Sequence, residues 1–419
     1  MSSQSLQWLA AVLLLVAIAH TLSVGWFQRQ AARYPRHAGL LHLLGEVECV
    51  FGLWAVVLLL GMAVLDSPNG ALHYLDSRQF TEPMFVFAVM VIAATRPVLV
   101  LVRSAVAVAG GWLPGSRTTG EYLVALAVLP LLGSFITEPA AMTVAALVLR
   151  DRLYAGRPSL RLQYATLGVL LVNVSIGGTL SNFAAPPILM VARPWGWDNL
   201  YMLSTFGWRA AVAVLCNAVL VTAVFRHELA GLQVPTPAQR AQHPPAWLTV
   251  AHILFLLGVV ASSHHPVVFI GLLLLFLGFN EAYGRHQDRL ILREGVLVGF
   301  FLAGLVVLGG LQQWWLAPLL QGFDAGTAFY GAVLLTAVTD NAALTYLASQ
   351  VGGLSEAFKQ ALVAGAVAGG GLTVIANAPN PAAFAMLRGQ FAAGVIKPGW
   401  VLLAALPPTV VAVIAFRCL

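Results

Sequence analysis

The sequence predicts an all-α polytopic membrane protein built from two inverted-topology repeats, each with a re-entrant helical hairpin and an interrupted transmembrane helix. Three observations carry that prediction. The 419-residue chain is 59% hydrophobic and only 9% charged, with a mean hydropathy of +0.85; soluble domains carry about 25% charged residues. Two stretches in this apolar background share one design, Thr137-Glu138-Pro139-Ala140-Ala141-Met142-Thr143 and Thr339-Asp340-Asn341-Ala342-Ala343-Leu344-Thr345, with Thr339 lying 202 residues beyond Thr137. Each is followed by a Gly-rich stretch that ends in Asn and Pro, Gly177 to Pro187 and Gly369 to Pro381. Each then reaches a basic residue and Trp, Arg193-Pro194-Trp195 and Lys397-Pro398-Gly399-Trp400. Landmarks in one order, met twice, read as an internal duplication.

The elements follow from apolar length, since a spanning helix needs about 20 mostly apolar residues. Residues 1–38 hold an N-terminal transmembrane helix and a cytoplasmic loop. The run Leu6 to Phe27 has no basic segment before it and no clear small-residue cleavage site, so it reads as a retained helix rather than a signal peptide. Residues 39–227 form the first repeat, with spans near 39–65, 82–103 and 205–226, a hairpin at about 121–150 and a broken helix at about 164–192. Residues 228–246, containing Pro235 and Pro237, read as a cytoplasmic linker. Residues 247–419 form the second repeat, with spans near 247–262, 265–280, 295–318 and 399–417, a hairpin at about 327–351 and a broken helix at about 360–387. Within the hairpins, the break at Thr137-Glu138-Pro139 favours two half-helices, because Pro at the first position of a helix gives up an N–H that has no partner there.

The basic residues fix an orientation. With the loop carrying Arg29, Arg33 and Arg36 in the cytoplasm and both acid segments folded as hairpins, 16 Lys and Arg fall inside. Only Arg78, Arg193, Lys359 and Arg417 fall outside, as the positive-inside rule requires. The first hairpin then opens to the cytoplasm and the second to the outside, which makes the halves inverted. The net charge of +6 is thereby a topology signal, and the partner it implies is the lipid bilayer rather than nucleic acid. Cys49, Cys216 and Cys418 are scattered and give neither metal spacing nor a disulfide framework.

Paired Gly/Pro-broken segments in an apolar chain point to a transporter binding site. A carboxylate at membrane depth costs about 2.5–3.5 kcal/mol on insertion scales, and Glu138 and Asp340 occupy matching places in the two motifs. A buried carboxylate favours its protonated form until a cation arrives beside it, so one group can hold either a proton or a cation. The neighbours supply hard oxygen ligands: hydroxyls from Thr137, Thr143, Thr339, Thr345 and Ser181, and amides from Asn182, Asn341 and Asn377. Such ligands suit sodium, lithium or potassium better than soft metals. The competing reading is structural, since acids can pair with Arg at packing contacts and small hydroxyl residues serve close helix packing. That reading weighs most on Thr143 and Thr345. Glu46 and Glu48 are assigned to the scaffold in preference to a proton path, with Arg96 and Arg209 as possible partners. No HExxH, CxxC or GxSxG constellation is present, and Gly369-Gly370-Gly371 lacks the Lys-Ser/Thr ending of a phosphate loop. No enzyme and no bound cofactor is therefore expected.

With these residues in place, the chain resembles the ion transporter superfamily, which includes sodium-coupled dicarboxylate symporters, arsenite exporters and Na+/H+ antiporters of the NhaD type. Asp340-Asn341 followed by Leu344-Thr345 is similar to the antiporter members, and the whole of about 39–419 is most similar to the group called putative Na+/H+ antiporters. The dicarboxylate members carry Ser-Asn-Thr at both hairpin tips, where this chain has Thr137-Glu138-Pro139 and Thr339-Asp340-Asn341. Two carboxylates there oppose a dianionic substrate. The resemblance implies a secondary active cation/proton antiporter working by alternating access, a homodimer with an elevator motion, and residence in the bacterial cytoplasmic membrane. The alternative is a sodium-coupled symporter or exporter of a small anion.

Overall fold

Gly, Pro and hydroxyl residues stand at several helix ends, although Pro130, Pro194, Pro407 and Pro408 lie inside helices. The computed structural model describes residues 3–113, 116–232 and 244–419, and every regular element among them is helical. Helix α1 covers Ser3–Arg33, α2 Val47–Leu65, α3 Thr81–Ala93 and α4 Arg96–Gly111. Helices α5 (Arg117–Ile136) and α6 (Glu138–Arg152) are separated by Thr137 alone. Helix α7 (Leu160–Gly177) ends at a Gly pair, and α8 (Pro186–Trp195) resumes beyond an irregular stretch. Helix α9 (Trp208–Val224) continues a short helix and a π-helical turn, Leu203–Gly207. There follow α10 (Ala246–Ala261), α11 (Pro266–Ala282) and α12 (Leu292–Gly309). Helices α13 (Ala325–Thr336), α14 (Asn341–Ser349), α15 (Glu356–Gly369), α16 (Asn380–Leu387) and α17 (Pro398–Cys418) complete the chain.

Among the described residues, seven helices are long and apolar enough to cross a membrane, or eight if one bent pair counts as a span. That pair is α3 and α4, which meet at 68°. The continuous span expected near 82–103 is thus two helices. Thr95 turns its hydroxyl back onto Ile92 O (2.8 Å) in extended backbone, and Pro97 opens the next helix. Helices α10 and α11 are 16 and 17 residues long; at 1.5 Å per residue they reach about 25 Å, short of the roughly 30 Å hydrocarbon core. The expected spans near 39–65 and 295–318 are likewise split, at Gly45–Glu46 and at Gly310–Gln312. The expected linker is helical at its start, Arg226–Gly231, while 233–243 lie outside the described residues.

Two bodies share the core. Helices α1, α2, α3, α10, α11 and α12 bury one apolar cluster, to which α6, α8 and α14 add Ala140, Leu189, Met190, Ala342, Ala343 and Tyr346. Within it α2 and α12 pack so closely that a Cβ on Gly304 would fall on the Gly52 backbone, the close approach that small residues permit in membranes. Helices α5–α9 and α13–α17 bury two further clusters. Inside that second body α13 packs along α15 as α5 packs along α7. The segments beyond the breaks cross over: α8 packs on α14, and α16 packs on α6.

Candidate functional site

Helices α6 and α14 both begin beside the irregular stretches that follow α7 and α15. The Glu138 N–H donates to Ala184 O (3.2 Å), and the Asn341 N–H donates to Ala376 O (3.0 Å). These equivalent bonds set Glu138 opposite Asn341, and Thr137 opposite Asp340, so the sequence pairing of Glu138 with Asp340 is corrected by one residue. The physical reason is the cap. Asp340 Oδ1 accepts from the N–H groups of Ala342 (2.7 Å) and Ala343 (3.1 Å), which leaves Asn341 as the first helical residue. Thr137 makes no such bond, so α6 starts at Glu138 itself and Pro139 occupies its second position rather than its first.

Glu138 is fully buried. Its Oε2 accepts from Asn377 Nδ2 (3.0 Å), and its Oε1 has no partner in the protein. Thr137 Oγ1 and Asn377 Oδ1 next to it, and both amide atoms of Asn341 at the start of α14, are likewise buried and without a protein partner. Each such group costs about 1–3 kcal/mol when left unsatisfied, and their concentration at two helix breaks makes this the candidate site. Thr137 adds strain, with φ +74° and ψ 149°, a region left essentially to Gly and worth on the order of 1–3 kcal/mol. The Gly pairs make the room. A Cβ on Gly178 would lie 2.5 Å from Glu138 Cγ, and one on Gly370 would strike Ser175 Oγ and lie 2.7 Å from Asn341 Nδ2.

Asp340 is buried and borders two cavities. One, of about 240 Å³, is mostly apolar and is also lined by Thr339. The other is small and is lined by Asp340, Asn377 and Glu48. Asn377 therefore stands between the two acids, bonded to Glu138 on one side and facing the cavity of Asp340 on the other. Neither acid forms an ion pair with Lys or Arg among the described residues, whose ion pairs lie elsewhere.

The remaining sequence-predicted residues are held by structural bonds. Thr339 Oγ1 donates to Leu335 O (2.8 Å), Thr143 to Pro139 O (2.9 Å), Thr345 to Ala342 O (3.3 Å) and Ser181 to Ser134 O (2.5 Å). Asn182 is placed apart from Glu138: its amide donates to Trp197 O (3.0 Å), and it lines a different cavity with Glu82 and Arg193. Arg96 pairs with Asp288 (3.6 Å), and Arg209 bonds Thr205 O (2.9 Å) and covers the Trp208 ring. Neither meets Glu46, whose partner is Arg293 (2.6 Å). His20 accepts from Trp54 Nε1 and donates to Leu44 O, a packing role. Sequence reasoning passed over Thr336 and Asn380, each with a buried oxygen lacking a protein partner. The second Asn of Asn377-Ala378-Pro379-Asn380-Pro381 was the available signal.

Among the described residues no group of three or more His, Cys, Asp or Glu is arranged to hold a metal ion. A family model described as putative Na+/H+ antiporter matches residues 5–419. Comparison with curated proteins gives no match.

Proposed function

The chain belongs to the putative Na+/H+ antiporter family, and on that premise we propose that it exchanges sodium, or another monovalent cation, for protons at Glu138 and Asp340. The observation that carries this reading is the state of Glu138: fully buried, its carboxylate bonded to Asn377 and, among the described residues, in no ion pair. A charge removed from water needs either neutralisation or a counter-charge. A proton supplies the first and a cation the second, and the two compete for one oxygen pair. Asn377 Oδ1 and the Asn341 amide oxygen are the neutral ligands that complete a cation's shell.

Alternating access is part of the proposal. We read the two halves as inverted repeats with α5–α6 and α13–α14 as their hairpins, supported by the 16 to 4 charge division and by the crossed packing of α8 on α14 and α16 on α6. The body of α5–α9 and α13–α17 carries the site and moves against the body of α1–α3 and α10–α12. A homodimer in a bacterial cytoplasmic membrane, akin to the NhaD type, fits the same reading. Purified protein in liposomes, with internal pH followed while external sodium, lithium or potassium is varied, tests it. Cation-driven proton efflux is expected. Uptake of a carboxylate with sodium, without proton movement, overturns the exchange. In a Cys-free background, Ala155→Cys should label from the cytoplasm and Gly352→Cys from outside. Both positions are exposed, and labelling from one side removes the inversion.

A further inference from the structure

We propose that Glu48 is the cytoplasmic entry ligand of the ion path, receiving the cation on the fixed body before it reaches Asp340 and Glu138. The inference rests on the exchange reading and adds to it a residue of the other body. Glu48 lies in the first turn of α2, partly buried. It lines a cavity of about 10 Å³ together with Phe301 of α12 from its own body, and with Asp340 and Asn377 from the other. That volume is roughly the room of one water or one small dehydrated ion. A second observation points into the same space. Asn377 is buried, lines this cavity and carries an Oδ1 without a protein partner, while its Nδ2 is held by Glu138. Glu48, Asp340 and Asn377 thus line one cavity, and Asn377 is bonded in turn to Glu138.

The two acids at the start of α2 divide their work. Glu46 is held by Arg293 at the helix mouth, whereas Glu48 forms no ion pair among the described residues. The Arg293 end of α12 and the Arg29, Arg33 and Arg36 loop mark this side as cytoplasmic by the positive-inside rule. A carboxylate here raises the local concentration of cations beside Asp340 on one face of the membrane only. Because Glu48 stays with the fixed body, it drops out of the path when the site turns to the other face.

Glu48→Gln keeps the shape and removes the charge. In oriented vesicles the KM for sodium offered from the cytoplasmic face should rise by on the order of tenfold, the scale of one charge-assisted contact. The KM from the outer face should stay unchanged. An unchanged cytoplasmic KM, an equal rise on both faces, or outright loss of exchange in a well-folded variant overturns the entry role. A second readout needs no transport: dicyclohexylcarbodiimide should modify Glu48, found by peptide mass mapping, and sodium should slow that reaction where choline does not. Sodium protection in protein that exchanges no protons would sink the exchange reading while leaving Glu48 as a cation ligand. Equal labelling with and without sodium sinks the ligand.

Discussion

The two acid turns carry nearly the same seven residues and are built differently. The first is closed: α5 and α6 pack along each other, with Gly133 against Ala141, about a single residue in a conformation costly for Thr. The second is open. Four residues, Ala337 to Asp340, separate α13 from α14, Val338 is half exposed, and the two helices make little mutual contact. The acids differ accordingly. At Asp340 two backbone N–H groups and the helix N-terminus support a negative charge. Glu138 has one amide donor, and its other oxygen is buried without a protein partner. Of two similar motifs, one thus holds a carboxylate with two backbone N–H donors and the other a carboxylate with a single amide donor.

The largest effect that tests this division is at Glu138. Glu138→Gln should lower exchange on the order of a hundredfold, the upper range for a hydrogen-bonded charge, with folding intact. Asp340→Asn should lose less, because Asn caps a helix as well as Asp does. Equal losses with the same pH profile in both variants would erase the distinction.

A smaller effect separates the two amides that the sequence treats alike. Asn377→Leu removes the only side-chain bond to Glu138 and should raise the sodium KM by roughly tenfold. Asn182→Leu, at a different cavity, should leave that KM within experimental scatter. A matching rise in the Asn182 variant would draw the site toward the outer cavity of Glu82 and Arg193.

The smallest expected effects are on stability. Thr137→Gly should gain about 1 kcal/mol by relieving the positive φ, measured as a higher Tm in detergent, and at the same time weaken sodium binding by loosening the turn. Asp340→Ala should lose about 1 kcal/mol with its cap, and Asp340→Asn should lose none. Stabilisation at Thr137 without any change in transport would show the strained turn to be incidental.

Most helices, and the breaks at Thr137 and at the two Gly pairs, were legible in the sequence because both are local, whereas the breaks at Gly45–Glu46, Ala94–Thr95 and Gly310–Gln312 were not. Apolar length, Pro139, the Gly177-Gly178 and Gly369-Gly370 pairs and Pro186 act on the backbone within a few residues of themselves. Glu138 and Asp340 stood out as candidates for the same reason, since a carboxylate in such a background demands an explanation wherever the chain folds. The packing reading weighed most on Thr143 and Thr345, and both satisfy backbone carbonyls within a turn; Thr339, which the sequence did not set apart, does the same.

Only the tertiary structure decided the rest. The one-residue register, Glu138 opposite Asn341, depends on whether Thr137 or Asp340 wins a cap bond, and that choice is made by what buries each turn. The bond from Asn377 to Glu138 spans 239 residues of sequence, and Glu48 and Asp340, far apart along the chain, line one cavity. Motif alignment pairs residues by their order along the chain. Contact between distant segments is set by which apolar faces pack together, and no local pattern in the chain records that choice.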